Sequence, residues 1–227
     1  MSLRTNVYVD AFNVYYGCTK DTPYRWLNLA RLCELLLTNN EINQIKVFTG
    51  LVKPRPNDPQ QPVRQQTYLR ALRTIPNLTI IEGSFLTHPR MFPRSTPRPD
   101  GRFEYVEVLY TEEKGSDVNL ASHLLYDAFA GDYEMAVIMS NDSDLAEPVR
   151  MVKVLLRKKI GILNPQINRP EYRKADGTVD YRKVRFSYEL RRYANFYKPI
   201  TEEALAQSQF PEELTDEVGT FRKPAGW

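Results

Sequence analysis

Short β-branched, apolar runs alternate along this chain with segments of helical periodicity, and that alternation constrains the fold more than any other feature. Residues 6–9, 44–52, 78–81, 135–139 and 160–163 read as strands. Between them, residues 27–37, 63–74, 116–129 and 143–157 place apolar side chains at helical spacing. Strand then helix, repeated, predicts an α/β fold with a mostly parallel central sheet flanked by helices and residues 6–9 as its central strand. Length suits one main domain, over residues 1–165, followed by a C-terminal extension, 166–227, that is basic and then acidic. Within that extension the last 21 residues show little periodicity, so they either wrap the domain with Trp227 as an anchor or move freely.

One segment breaks the alternation. Residues 83–111 fit a projecting β-hairpin arm, with strands at 84–87 and 103–110 joined by a proline-rich, basic connection over 88–102. Its Arg90, Arg94, Arg98 and Arg102, with Phe92 and Phe103 nearby, offer cations and stacking faces to an unpaired nucleic-acid strand, or else a surface for a second copy of the chain.

Charge is segregated. Residues 53–102 hold nine Lys or Arg against three acids, and residues 150–198 hold fourteen against four. Between them, residues 103–149 hold eleven acids and a single base, Lys114. Basic blocks attract a polyanion, whereas clustered carboxylates repel one unless a cation neutralises them. Ordinary solvated faces would give the same tally.

In an open parallel sheet, ligands gather at the carboxyl ends of the strands where strand order reverses. Asp10 ends the first strand and Asn13 follows it; Asp142 and Asp144 follow the strand at 135–139; Asp117 opens the preceding helix in Lys114-Gly115-Ser116-Asp117. Four carboxylates brought together oppose folding unless a hard cation takes their oxygens, which points to Mg²⁺ or Mn²⁺. Asp142, Ser143 and Ser116 equally suit helix caps, while Asp10, at no obvious helix start, favours metal binding or an Asn13-linked turn. Lys114 suits a phosphate or carboxylate partner and, equally, a plain surface position.

Other chemistries find little support. No glycine-rich phosphate loop or nucleophile elbow occurs, and His88 and His123 lack zinc spacing. Asp-x-Asp loops recur in phosphatases and topoisomerase-primase domains, but Asp10 has no aspartate two positions on, and is not a glutamate. No apolar run approaches the roughly 18 residues of a membrane span, and neither a signal peptide nor a membrane association is expected. Cys18 and Cys33, without CxxC spacing, read as buried thiols in a reducing, cytoplasmic setting.

Three stretches, residues 7–13, 114–121 and 135–145, together resemble the NYN domains of the LabA type within the PIN-like nuclease superfamily, over roughly residues 5–165. The resemblance implies a metal-dependent ribonuclease acting on single-stranded RNA. Asp10, Asp117, Asp142 and Asp144 would line its metal site, Asn13 would orient substrate or a ligand carboxylate, and Ser140 would support the aspartate loop. One bound ion would activate water for in-line attack, and a second, about 3.5–4 Å away, would stabilise the leaving oxygen. The chain departs from the family pattern at three positions. His123 stands where a further acid is common, Asn141 replaces a glycine while tolerating left-handed backbone angles, and Leu145 replaces an aromatic residue. His123 falls roughly 120° around the helix from Asp117, which suits a buried or partner-facing side chain. It also supports the alternative of a catalytically weak, RNA-binding or regulatory protein that keeps the fold.

Overall fold

The structure is a computed structural model and describes residues 2–167, 169–173, 179–182 and 184–227. The chain opens with β1 (Leu3–Asp10), then α1 (Ala11–Val14), which continues as a wider π-type turn over Tyr15–Thr19. Helix α2 (Leu29–Leu36) starts where the Asn28 side chain accepts the Arg31 backbone N–H. Next come β2 (Asn40–Gly50), α3 (Gln61–Arg73) with Pro62 in its first turn, and the long β3 (Leu78–Pro93). β4 (Tyr105–Lys114) returns to α4 (Ser116–Phe129), followed by β5 (Met135–Met139), α5 (Ala146–Arg150) and β6 (Lys159–Asn164). β7 (Arg169–Arg173) and β8 (Val179–Arg182) form a separate ribbon. The chain closes through α6 (Tyr188–Tyr193), β9 (Phe196–Pro199), α7 (Glu202–Gln207) and a hairpin of β10 (Glu213–Asp216) and β11 (Gly219–Arg222).

Seven strands make one sheet in the order β4-β3-β2-β1-β5-β6-β9, with β1 central and every pairing parallel except β3 with β4. This is the predicted α/β architecture. Period-two alternation divides the buried strand residues between the two faces. Val7 and Val9 of β1, with Ile45, Val47 and Val137, pack against Leu32, Leu72 and Leu205 on one side. Tyr8, Phe48 and Ile138 pack against Leu120, Leu124 and Val149 on the other. Both faces are therefore covered, which is why these strands read as continuous apolar runs.

Inside the second core lies a buried ion pair. Lys46 Nζ and the Tyr8 hydroxyl each sit 2.6 Å from Asp127 Oδ2. The pair ties β2 and β1 to the last turn of α4.

Several sequence expectations are corrected. The third strand does not stop at residue 81; it runs on as one arm of the hairpin, and the pairing extends from Ser84 opposite Lys114 to Pro93 opposite Tyr105. Residues 88–93 therefore belong to a strand in spite of Pro89 and Pro93. Beyond Gly83, β3 leaves β2 behind, so one of its edges is free and a missing N–H costs no ladder bond there. The helix expected over 143–157 is divided. A single 3₁₀ turn, Ser143–Leu145, leads into α5, which ends in a π-type turn over Met151–Leu155. Pro148 removes an N–H from the middle of this stretch.

The C-terminal extension is integrated with the rest. β9 supplies the seventh strand, α7 buries Ala204 and Leu205, and the Trp227 ring packs 6.4 Å from Trp26 and 5.8 Å from Tyr68. Trp26 itself donates from Nε1 to Pro211 O at 2.7 Å. Cys18 and Cys33 are buried and form no disulfide, and the Cys18 thiol donates to Val14 O at 3.2 Å. Among the described residues, no helix is long and apolar enough to cross a membrane.

Candidate metal centre

β1 and β5 are neighbours, yet the chain leaves them in opposite lateral directions, β1 toward β2 and β5 toward β6. Their carboxyl ends thus meet at the sheet's switch point, and both deliver aspartate there. Carboxylate oxygens of Asp10, Asp117 and Asp142 all lie within 4.8 Å of one another. They line a cleft of about 480 Å³, together with Asn13, Glu113 and Arg55 and with the rings of Phe12 and Phe85. Those two rings meet edge to face at 5.6 Å and form one apolar wall.

Hydrogen bonds set each carboxylate. Asp10 Oδ1 accepts the Asn13 backbone N–H at 2.9 Å, and Oδ2 accepts the Ser140 hydroxyl at 2.9 Å. Ser140 Oγ in turn accepts the Asp142 N–H at 3.0 Å, and Asp142 Oδ1 accepts the Asp144 N–H at 3.0 Å. Asp10 is therefore the N-cap of α1, and Asp142 caps the 3₁₀ turn. The sequence placed Asp10 at no helix start, and that is corrected, because α1 has only four residues and no periodicity to betray it. Capping and clustering are compatible here, since a carboxylate oxygen that accepts one N–H keeps a further lone pair.

Asp117 arrives from the other side, in the first turn of α4. Neither Ser116 nor its hydroxyl caps that helix. The cap position is Gly115, at φ +99°, and the Glu113 carboxylate accepts both the Ser116 N–H at 3.1 Å and its hydroxyl at 2.7 Å. Glycine is suited to this left-handed corner, which turns β4 into α4 beside the cleft. The sequence reading missed Glu113 and Arg55, which lies in the loop before α3 and is the single basic side chain among the described residues lining the cleft.

Burial pushes the Asp10 carboxyl up to about 6; the charges of Asp117 and Asp142 add to that, and its hydrogen bonds from Asn13 and Ser140 oppose it. Asp117 is also raised, by partial burial first and then by Asp142, Glu113 and Asp144. Among the described residues, no Lys or Arg forms an ion pair with any of these aspartates. A set of hard oxygen donors with no ion-paired Lys or Arg among the described residues fits a hard divalent ion.

The remaining residues singled out from sequence lie around or away from this centre. Asp144 is on the same loop, exposed, and outside the group of three. Asn13 spends its side-chain oxygen on the Asn141 backbone N–H at 3.1 Å. Asn141 does not occupy the left-handed conformation offered as the reason for its tolerance there. Its side chain instead ties the loop to the C-terminal segment, accepting the Ser187 N–H at 2.8 Å and the Tyr197 hydroxyl at 2.5 Å and donating to Arg185 O at 3.1 Å. Lys114 pairs with Glu112 at 3.0 Å, both on the arm's first rungs. His123 is half-buried against the Phe48 ring, 5.6 Å away, and lies outside the acidic group of three.

The four arm arginines lie outside the cleft. Arg90 sits 5.3 Å over the rings of Phe92 and Tyr110, Arg94 and Arg98 lie 3.5 and 3.8 Å from Glu104, and Arg102 takes Asp100 Oδ1 on its backbone N–H. Nine rungs of about 3.3 Å put the arm's far end roughly 30 Å beyond Ser84.

Comparison with known proteins agrees with this architecture. The chain is 28% identical, over 99% of its length and 75% of the relative's, to a 6-hydroxy-3-succinoylpyridine 3-monooxygenase of Pseudomonas putida. Its fold is similar to that of a crystallised protein of unknown function from Vibrio parahaemolyticus, at a TM-score of 0.52 and 16% identity, covering 89% of this chain and 95% of that one. Residues 4–182 match the NYN domain, a family whose members are PIN-like in fold, and with that much of its length inside the match the chain belongs to the NYN domain family.

Proposed function

We propose that this protein is a divalent-metal-dependent ribonuclease of the LabA type that hydrolyses phosphodiester bonds in single-stranded RNA. The observation that carries the reading is the convergence of Asp10, Asp117 and Asp142, ion-paired to no described Lys or Arg, in a cleft open to solvent. The three carboxylates would hold the ion, with Asp144 at the rim. A divalent ion bound there supplies Lewis-acid activation of water and offsets phosphate charge. The chain's own groups hold and orient. Ser140 and the Asn13 N–H fix the Asp10 carboxylate, Asp142 is fixed by the Asp144 N–H, and Arg55 offers the cleft's wall a guanidinium for a phosphate oxygen. Phe12 and Phe85 offer faces on which a base stacks. In this reading Lys114 and the arm arginines Arg90, Arg94, Arg98 and Arg102 attract flanking RNA, and the protein works in the cytoplasm.

The test is cleavage of labelled single-stranded RNA by purified protein with Mn²⁺. Cutting is expected from the wild type, and binding without cutting from Asp10→Asn and Asp142→Asn. Equal cleavage by both variants would refute the assignment. A second reading, oxygenation of a small heteroaromatic acid, rests on the Pseudomonas relative, which aligns with 99% of this chain. Consumption of 6-hydroxy-3-succinoylpyridine in air with a reductant, lost in the same variants that spare RNA binding, would favour it over hydrolysis.

A further inference from the structure

A second cavity, of about 350 Å³, adjoins the acidic cleft and shares with it the side chains of Phe12, Tyr16, Val52, Arg55 and Gln61. Its size falls in the range of small-molecule sites, roughly 300–1,000 Å³. It runs inward between the sheet and the helices on the α2–α3 side. Its floor is apolar, made by Val14, Leu29, Val47, Leu69 and Leu72, all buried core residues. Tyr15 and Tyr68 add aromatic walls, and Trp227 reaches it from the C-terminal segment. No carboxylate from the metal centre lines it.

The lining also carries three arginines. Arg64 is paired with Asp58, which leaves that pair close to neutral. Arg25 and Arg55 have no carboxylate partner among the described residues. Arg25 is held by donating to Gly226 O at 2.6 Å and by stacking 5.8 Å from the Trp227 ring. Both Arg25 and Arg64 bear electrostatically on the half-buried Tyr15 hydroxyl, favouring its ionised form, although burial prevails and raises its pKa. Guanidinium charge therefore reaches the aromatic wall, where the Asp21 carboxylate opposes it. A flat apolar body fits the floor and walls, and an anionic group fits the two guanidiniums that lack a described carboxylate partner, since such groups recognise carboxylate and phosphate by N–H donors.

We infer that this cavity is a binding site for a planar aromatic ring bearing an anionic group, seated by Tyr15 and Tyr68 and held by Arg25 and Arg55 beside the acidic cleft. That chemistry has two sources, a free aromatic acid and a nucleotide whose base enters the cavity. The site does not depend on RNA cleavage, because none of the three clustered aspartates lines it.

Titration calorimetry of the full chain in EDTA tests it, with nicotinate and 4-hydroxybenzoate in one arm and AMP and UMP in the other. Tryptophan fluorescence provides a parallel readout, since Trp227 lines the cavity. Saturable binding below about 1 mM, the upper end of ordinary substrate KM values, is expected from at least one arm. Affinity should fall about tenfold or more in Arg55→Ala, which loses a charge-assisted contact, and in Tyr15→Leu, which loses a stacking face. Arg55 is exposed and in no described ion pair, so its variant should fold normally. Binding of the acids alone identifies a free metabolite, and binding of the nucleotides alone identifies a base pocket for the strand. No saturable binding from either arm, or binding that both variants retain, overturns the inference. A protein that binds these probes but cuts no RNA keeps this site and loses the nuclease reading; one that cuts without binding does the reverse.

Discussion

The Ser140 hydroxyl donates to Asp10 Oδ2 at 2.9 Å, joining residues 130 positions apart in sequence. The same oxygen receives the Asp142 N–H at 3.0 Å, so one small side chain sets the orientation of one carboxylate and the loop of another. Ser140 is itself fully buried, at the end of a strand whose five residues are all buried, so this link is held by the core rather than by solvent-facing contacts.

Ser140→Ala should therefore loosen two aspartates at once. The variant is expected to lose about 10- to 100-fold in Mn²⁺ affinity or cleavage rate while keeping its far-UV spectrum. Metal titration followed by thermal shift checks it, and an unchanged metal midpoint would mean that Ser140 does not position the site.

Asp10 makes stability depend on pH in a defined direction. Its carboxyl titrates near 6 in the folded protein against 3.8 for an ordinary aspartate, so between these values the folded state binds more protons than the unfolded one. Stability of the metal-free protein should thus fall as pH rises from about 4 through 6, by up to about 3 kcal/mol from this group. Asp10→Asn should remove that dependence, stabilising the metal-free protein at pH 7 and leaving it little changed at pH 4. Urea unfolding in EDTA at the two pH values measures both.

Added metal should reverse the penalty. Mn²⁺ should raise the wild-type Tm at pH 7.5 and raise it much less at pH 5, where protons compete for Asp10, and Asp10→Asn should abolish most of the shift. A shift of equal size at both pH values would count against Asp10 as a ligand.

The buried Lys46–Asp127 pair bears on stability. Lys46→Met leaves the Asp127 carboxylate buried without its cation and should cost about 3–5 kcal/mol in urea unfolding. Restoring neutrality with Lys46→Met plus Asp127→Asn should recover a substantial part of that loss.

Gly115→Ala tests the corner between β4 and α4. No atom crowds a Cβ there, so the cost is that of the φ +99° backbone alone, about 1–2 kcal/mol. Because Asp117 begins two residues later, metal affinity should fall along with Tm.

Much of this was legible in sequence. Continuous apolar runs at residues 6–9 and 135–139 announce strands covered on both faces, and the rule that ligands collect at a switch point places Asp10 and Asp142 together. What escaped the sequence has physical causes. Helix α1 and its π-type turn are too short for periodicity. β9 has four residues ending in proline, and its place is set by contact: an added Cβ on Gly161 would lie 2.1 Å from the Phe196 ring, so the missing side chain makes room for the last strand. Glu113 and Arg55 carry no motif, and reach the cleft through the arm and a proline-rich loop. The arm itself was visible, but not how far its pairing continues past Pro89, because the free edge that makes proline harmless there exists only once the sheet has formed.

The bonds from Asn141 to Ser187, Arg185 and Tyr197 bear on when the protein becomes competent. A polypeptide emerges from the ribosome N-terminus first, so Asp10, Asp117 and Asp142 are all synthesised before the segment that latches the loop of Asp142. The latch closes only after residue 197 has left the exit tunnel. Until then a growing chain carries the acidic residues without the clamp on the loop of Asp142, and the order of synthesis itself sets when that loop is tied.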